Sequence, residues 1–272
     1  MSERRACRLV GQHRSSNRYQ AVVVEDEARL IEAMHKCAEL EPKRGYRHIR
    51  DMLVADHWNV SYKRIERLWR LEGLQLAPEK ALNKGKKSRG DDANSISRLP
   101  ALYPDHIWSY DFIERRTEDG RKFWALNIID EFTRVSLGSH VDRRTGAKRV
   151  KAHLEKLFEL HGKPTIIRAD NGTEFTANLL LDWLGDQQVH GVFIAKASPW
   201  QNGITERFNK TVEREVFKHE VYYSILEIQH VLDEWTWKYN HRRKHRTLKM
   251  TPAEYAKIAR ENMMPRPGGR RR

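Results

Sequence analysis

Apolar and polar residues alternate in blocks whose spacing changes several times along the chain. Ile107–Ile113 and Lys122–Ile129 are rich in aromatic and β-branched residues and flank the turn-like Thr117-Glu118-Asp119-Gly120-Arg121, which predicts two adjacent strands. Arg134–Val141 reads as a third strand. Val150, Leu154, Leu157 and Phe158 then recur at helical spacing, so 147–160 is predicted to be an amphipathic helix that stops at His161-Gly162. Thr165-Ile166-Ile167 is a short buried strand, Leu179–Gln187 a helix and Val189–Ala195 a fifth strand. Beyond the loop 198–203, Ile204, Phe208, Val212 and Val216 repeat every four residues and predict one more helix. This βββαβαβα order predicts an α/β fold, a mixed sheet with flanking helices.

The flanks read differently. Tyr46–Ala55 and Ser61–Glu72 form two helices about a short turn, with Ser61 as N-cap, Val60 and Ile65 as a hydrophobic staple and Gly73 as the stop. Ile65, Leu68 and Trp69 are expected inside, leaving Lys63, Arg64, Arg67 and Arg70 outward on a helix suited to a DNA groove. A soluble helical pair with a solvated basic face is the plainer alternative. Residues 2–19 could form another small helix-turn-helix. The expected organisation is a helical region over 1–76 suited to DNA binding, a charged linker over 77–99, a core of alternating strands and helices over 100–220, and a helical segment with a basic, disordered tail over 221–272.

Charge supports this division. The chain carries a formal +14. Residues 1–99 hold 21 basic and 14 acidic side chains, 100–240 hold 19 and 21, and 241–272 hold 11 and 2. Two basic arms around a nearly neutral centre suit a polyanionic partner such as double-stranded DNA. In Lys238–Lys249 the basic residues, Arg242 and Arg243 among them, could meet backbone phosphates, and Trp235 and Trp237 point to opposite sides of a helix, so at least one belongs to a core. Cys7 and Cys37 lack metal-like spacing, and no apolar run reaches the length of a membrane span, which together point to a reduced, cytoplasmic setting.

Three acids stand out against this background. Asp111 lies in Trp108-Ser109-Tyr110-Asp111-Phe112, where a carboxylate is costly unless compensated. Asp170 follows a buried strand in Asp170-Asn171-Gly172-Thr173-Glu174-Phe175, which could equally be an Asx turn. Glu206 stands two positions off the stripe that starts at Ile204, with Asn209 and Lys210 expected on its own side; a surface ion pair with Lys210 is the alternative. Carboxylates from distant segments suit Mg²⁺, and phosphodiester chemistry commonly uses two such ions roughly 4 Å apart.

Taken together, the ordered acids, the 35 residues between Asp170 and Glu206, Ile129-Asp130-Glu131-Phe132-Thr133-Arg134, Ser198-Pro199-Trp200-Gln201-Asn202-Gly203, Glu206…Asn209 and Trp237…Tyr239-Asn240 resemble the DDE transposases with an integrase-type, ribonuclease-H-like core. The similarity is to second-frame (OrfB-type) products of two-frame bacterial insertion sequences, and it runs from about residue 1 to 256. Two departures are visible: Thr205 and Arg207 flank the last acid, and Tyr239–His245 lacks the proline usual in that segment.

The resemblance implies that Asp111, Asp170 and Glu206 are catalytic metal ligands for two Mg²⁺ ions, with Mn²⁺ as a substitute, and that Asn209 and Lys210 neighbour the DNA. It implies cleavage at element ends and one-step transfer of the 3′-OH, on a homo-oligomer in the bacterial nucleoid, with a first-frame product or frameshift fusion as partner. A plain ribonuclease-H-like nuclease and a catalytically silent DNA-binding regulator or domesticated remnant are the competing expectations.

Overall fold

The computed structural model of the chain describes residues 2–18, 26–74, 99–170, 178–193, 203–218 and 220–263. Almost all of the expected linker 77–99, residues 171–177 and 194–202, and the expected tail from 264 on lie outside the described residues. Contacts divide the chain into two compact units, Met1–Lys80 and Ala81–Arg272.

The first unit is helical: α1 (Glu3–Leu9), α2 (Arg14–Asn17), α3 (Glu27–Leu40), α4 (Tyr46–Ala55) and α5 (Tyr62–Leu71). Its core joins Leu30, Met34 and Cys37 of α3 to Ile49 and Leu53 of α4 and to Ile65, Leu68 and Trp69 of α5. Ser61 caps α5 by accepting the Arg64 N–H at 3.3 Å, and the predicted staple residues Val60 and Ile65 are both buried. Gly73 takes φ +66°, a backbone form that glycine adopts without steric cost. Cys7 and Cys37 are both buried and free.

The second unit is built on five strands, β1 (Ile107–Arg116), β2 (Lys122–Asp130), β3 (Ser136–Asp142), β4 (Ile166–Ala169) and β5 (His190–Phe193), in the order β3-β2-β1-β4-β5. The first three pair antiparallel, as expected for strands joined by tight turns, while β4 and β5 add in parallel. Between them run α6 (Ala147–His161) and α7 (Asn178–Asp186); α8 (Gly203–Val212), α9 (Ile225–His241) and α10 (Pro252–Met263) follow.

Alternation along β1 and β2 divides the apolar residues between the two sheet faces. Trp108, Tyr110, Leu126 and Ile128 pack with Val150, Leu154, Leu157 and Phe158 of α6 and with Leu180, Trp183 and Leu184 of α7. Ile113, Phe123, Ala125 and Ile129 pack instead with Phe208 and Val212 of α8 and with Ile228, Leu232, Trp235 and Tyr239 of α9. A bulge opposite Ile128 and Ile129, where Gly138 takes φ +135°, lets β3 send Leu137 to the first core and Val141 to the second.

The stripe Ile204–Phe208–Val212–Val216 runs straight into a π-helical turn, Glu213–Phe217. A strict four-residue repeat drifts by about 40° per step on an α-helix. The wider turn absorbs that drift and keeps Val216 buried.

Candidate active site

Alternation on β1 also decides where its acid goes. With Trp108 and Tyr110 committed to the α6 core, Ser109, Asp111 and Ile113 share the face covered by α8. The helix is tied to that face at two points. Thr205 Oγ1 donates to Ser109 Oγ at 2.6 Å, and Asn209 Nδ2 donates to Asp111 Oδ2 at 3.0 Å. One helical turn separates Thr205 from Asn209, so both face the sheet. Glu206 follows Thr205 and comes out half-exposed at the rim of the same site.

Asp111 accepts one more hydrogen bond, from the Phe112 N–H at 2.8 Å. Burial pushes its pKa up to about 6, and the charges of Asp170 and Glu206 push in the same direction, against the two hydrogen bonds. Asp170 arrives on β4, which pairs in parallel with β1 and ends one residue earlier. Burial first, and then the field of Asp170, raises Tyr110 as well. Three acids from three separate elements therefore meet electrostatically at Asp111. Among the described residues no group of three His, Cys, Asp or Glu is gathered tightly enough to hold a metal ion by itself. The acids share a field without forming a closed cage.

Not every residue singled out by sequence lies where it was expected. Asn209 and Lys210 do not share a side: Asn209 is buried against the sheet, whereas Lys210 is exposed, its ammonium 3.7 Å from Glu206. Arg243 turns inward to the Glu215 carboxylate at 2.8 and 2.9 Å, and Glu215 also accepts the Trp235 indole N–H at 3.0 Å. Arg242 lies over the half-exposed ring of Trp237, 5.3 Å from its centre. Trp235 is the core tryptophan of the pair. On α5, Lys63 is exposed, Arg67 and Arg70 are exposed but pair with Glu27 and Glu66, and Arg64 is drawn in to Asp26 at 2.5 Å. The outward row is thus Lys63, Arg67 and Arg70, and Arg64 fastens α5 to the start of α3.

Sequence reading passed over two residues at this site. Asn127, fully buried, donates through Nδ2 to Asn209 Oδ1 at 2.9 Å, and Ser139 Oγ donates to Asn127 Oδ1 at 2.6 Å. The available signal was an isolated amide inside the apolar run Phe123-Trp124-Ala125-Leu126-Asn127-Ile128-Ile129.

The two catalytic-unit segments that carry these acids match known domains. Residues 102–199 and 187–252 each match a family described as "Integrase core domain", and residues 25–81 match an "HTH-like domain". Over 261 residues the chain is 30% identical to a 31.7 kDa protein of insertion element IS407 from Burkholderia multivorans, covering 94% of this chain and 91% of that one. The chain belongs to the DDE transposases of insertion sequences.

A second relative of this transposase is a 39.2 kDa protein of insertion element IS476 from Xanthomonas euvesicatoria, 28% identical over 94% of this chain and 72% of that one. The fold is shared with a chain of the simian T-cell lymphotropic virus intasome, seen in complex with the PP2A regulatory subunit B56 gamma. That likeness has a TM-score of 0.52 and 15% sequence identity, over 87% of this chain and 77% of that one. The transposase thus combines a ribonuclease-H-like integrase core, a mixed five-stranded sheet with flanking helices, and an HTH-like helical unit, and it acts in DNA transposition. No helix among the described residues is long and apolar enough to cross a membrane.

Proposed function

We propose that this transposase cleaves the ends of its element and joins the freed 3′-OH to target DNA in one step, using Asp111, Asp170 and Glu206 as the ligands of two divalent cations. The observation that carries this reading is the convergence of the Asp170 and Glu206 charges on partly buried Asp111. An all-oxygen donor set of ionised carboxylates is the chemistry that Mg²⁺, or Mn²⁺ in its place, selects. When bound, the cations would activate the attacking oxygen and stabilise the leaving one.

The protein's own side chains have distinct tasks in this scheme. Asp111 is held from two sides, by the Phe112 N–H and the Asn209 amide, so its lone pairs have a set direction. Glu206, in the first turn of α8, sits where that helix is pinned to β1 by Thr205. The exposed row Lys63, Arg67 and Arg70 in the HTH-like unit is suited to duplex DNA, and exposed Lys210 and Arg242 to its backbone. Pairing two ends calls for at least two copies on DNA, and a first-frame product or frameshift fusion would add further binding surface. We place the segment boundaries for these tasks at 1–76, 77–99, 100–220 and 221–272.

The test is a nicking and strand-transfer assay on duplexes carrying the element's ends, with Mg²⁺, for the parent and for Asp170→Asn. The parent should nick and join, and the variant should do neither while still shifting the DNA in a gel. Normal turnover by Asp170→Asn would overturn the assignment.

A further inference from the structure

Asp111, Asn127 and Ser139 stand in one row across the sheet. The β1–β2 register pairs Asp111 with Asn127, and the β2–β3 register pairs Asn127 with Ser139. All three belong to the face that α8 covers, and Asn209 reaches down from the helix to touch the first two. The row is polar and runs among the apolar Ile113, Ala125, Ile129 and Val141.

The hydrogen bonds along it have one consistent direction. An ionised carboxylate can only accept, so Asn209 must present its NH₂ to Asp111. Its oxygen then faces Asn127, which must donate. That leaves the Asn127 oxygen for a donor, and the Ser139 hydroxyl supplies it at 2.6 Å. Reversing either amide would bring like groups together somewhere in a row whose middle residue is fully buried. Such networks are unforgiving when one member is missing.

We infer that Ser139 and Asn127 are positioning residues that act through Asn209 to hold Asp111 in its metal-ligating orientation. This rests on the metal-ligand role proposed above. Neither residue touches the reacting atoms. Their effect passes through the amide of Asn209, whose NH₂ they keep turned to Asp111. Residues that orient a ligand in this manner typically change metal affinity by about 10–100-fold when removed.

Calorimetric titration of Mn²⁺ into the full chain tests this, with thermal unfolding and Mg²⁺-dependent nicking measured alongside. Ser139→Ala should weaken Mn²⁺ binding by about tenfold or more, and Ser139→Thr, which keeps the hydroxyl, should restore it. Because Ser139→Ala leaves a buried amide oxygen without its donor, it could unfold the chain. The pair Asn127→Leu with Ser139→Ala removes both members of that bond and spares the buried Asn127 oxygen from standing without a donor.

That pair leaves the Asn209 oxygen without its donor, so it should stay folded but unfold somewhat below the parent's temperature, and it should still bind Mn²⁺ about tenfold more weakly because Asn209 has lost its anchor. A folded double variant with Mn²⁺ affinity within about twofold of the parent overturns the positioning role, and leaves the metal-ligand reading standing. A parent that neither binds Mn²⁺ nor nicks overturns the metal-ligand reading, and this inference with it.

Discussion

Asn127 stands directly opposite Asp111 in the β1–β2 pair, yet the two are joined only through Asn209, which accepts from one and donates to the other. Cross-strand neighbours sit about 5 Å apart at their Cβ atoms, and here the Asn209 amide of α8 enters between the two side chains and bonds to both. Packing α8 onto the sheet therefore completes the surroundings of Asp111. A carboxylate held in this way, half-buried and facing two other acids, is under electrostatic stress in the metal-free protein.

Asp111→Asn should relieve that stress. A carboxyl raised from 3.8 to about 6 by folding favours the protonated form, so its contribution to stability is full below pH 4 and is lost as pH rises through about 6. At pH 8 without metal the variant should be more stable than the parent, by about 2 kcal/mol. The gain should shrink below pH 6 and disappear near pH 4. Urea unfolding at pH 8 and pH 4 measures it, and equal stabilities at pH 8 would contradict burial and neighbouring charge as the origin of the raised pKa.

Glu206→Gln separates fold from chemistry. Glu206 is half-exposed at the rim and its ion pair with Lys210 is solvated, so unfolding should shift by no more than about 0.5 kcal/mol. Nicking should fall by about 10²-fold or more. A large loss of stability would instead mark Glu206 as a structural residue.

Much of this arrangement was legible in the sequence, and the reasons are local. The alternation in Trp108–Ile113 fixes which β1 residues share a face, and the apolar stripe of α8 fixes how far Glu206 stands from the core. Register was not legible: the Asp111–Asn127–Ser139 row depends on the turn after β1 and on the bulge in β3, neither of which has a unique sequence signature. The inward turn of Arg64 was hidden for a related reason, since Asp26 stands just ahead of another helix, 38 residues away in sequence. The same is true of Arg243, whose partner Glu215 sits on the π-helical turn.

Arg64 and Lys63 should therefore behave differently, although they are neighbours of like charge. Lys63→Ala should reduce the slope of log DNA affinity against log salt by about 1, with stability unchanged. Arg64→Ala should cost about 1 kcal/mol in stability, because it breaks the pair with Asp26. Salt-dependent fluorescence anisotropy on a short duplex, read beside thermal melts, distinguishes the two. Identical salt slopes for both variants would contradict the division of labour on α5.

Arg168 and Glu131 form a pair that is almost wholly buried, with both carboxylate oxygens 2.8 Å from Nη1, and Arg168 Nη2 also donates to the Leu99 carbonyl at 2.7 Å. Arg168→Met should destabilise the chain by about 3–5 kcal/mol, because it takes the cation away from a buried carboxylate. Replacing both residues, Arg168→Met with Glu131→Leu, should recover much of that loss. Denaturant titration compares them, and a single variant no worse than the double would show that the pair contributes little.

The bulge in β3 makes the segment sensitive to counting. Leu137 and Val141 serve opposite cores only because one extra residue is accommodated next to Gly138. A methyl group exchanged at either position would be a local injury. Deleting a residue there would exchange inside for outside over half the strand, taking Ser139 off the row that supports Asp111. Over Ser136–Val141, natural variation in this lineage should therefore leave the length unchanged even where a side chain is exchanged for one of like size and polarity.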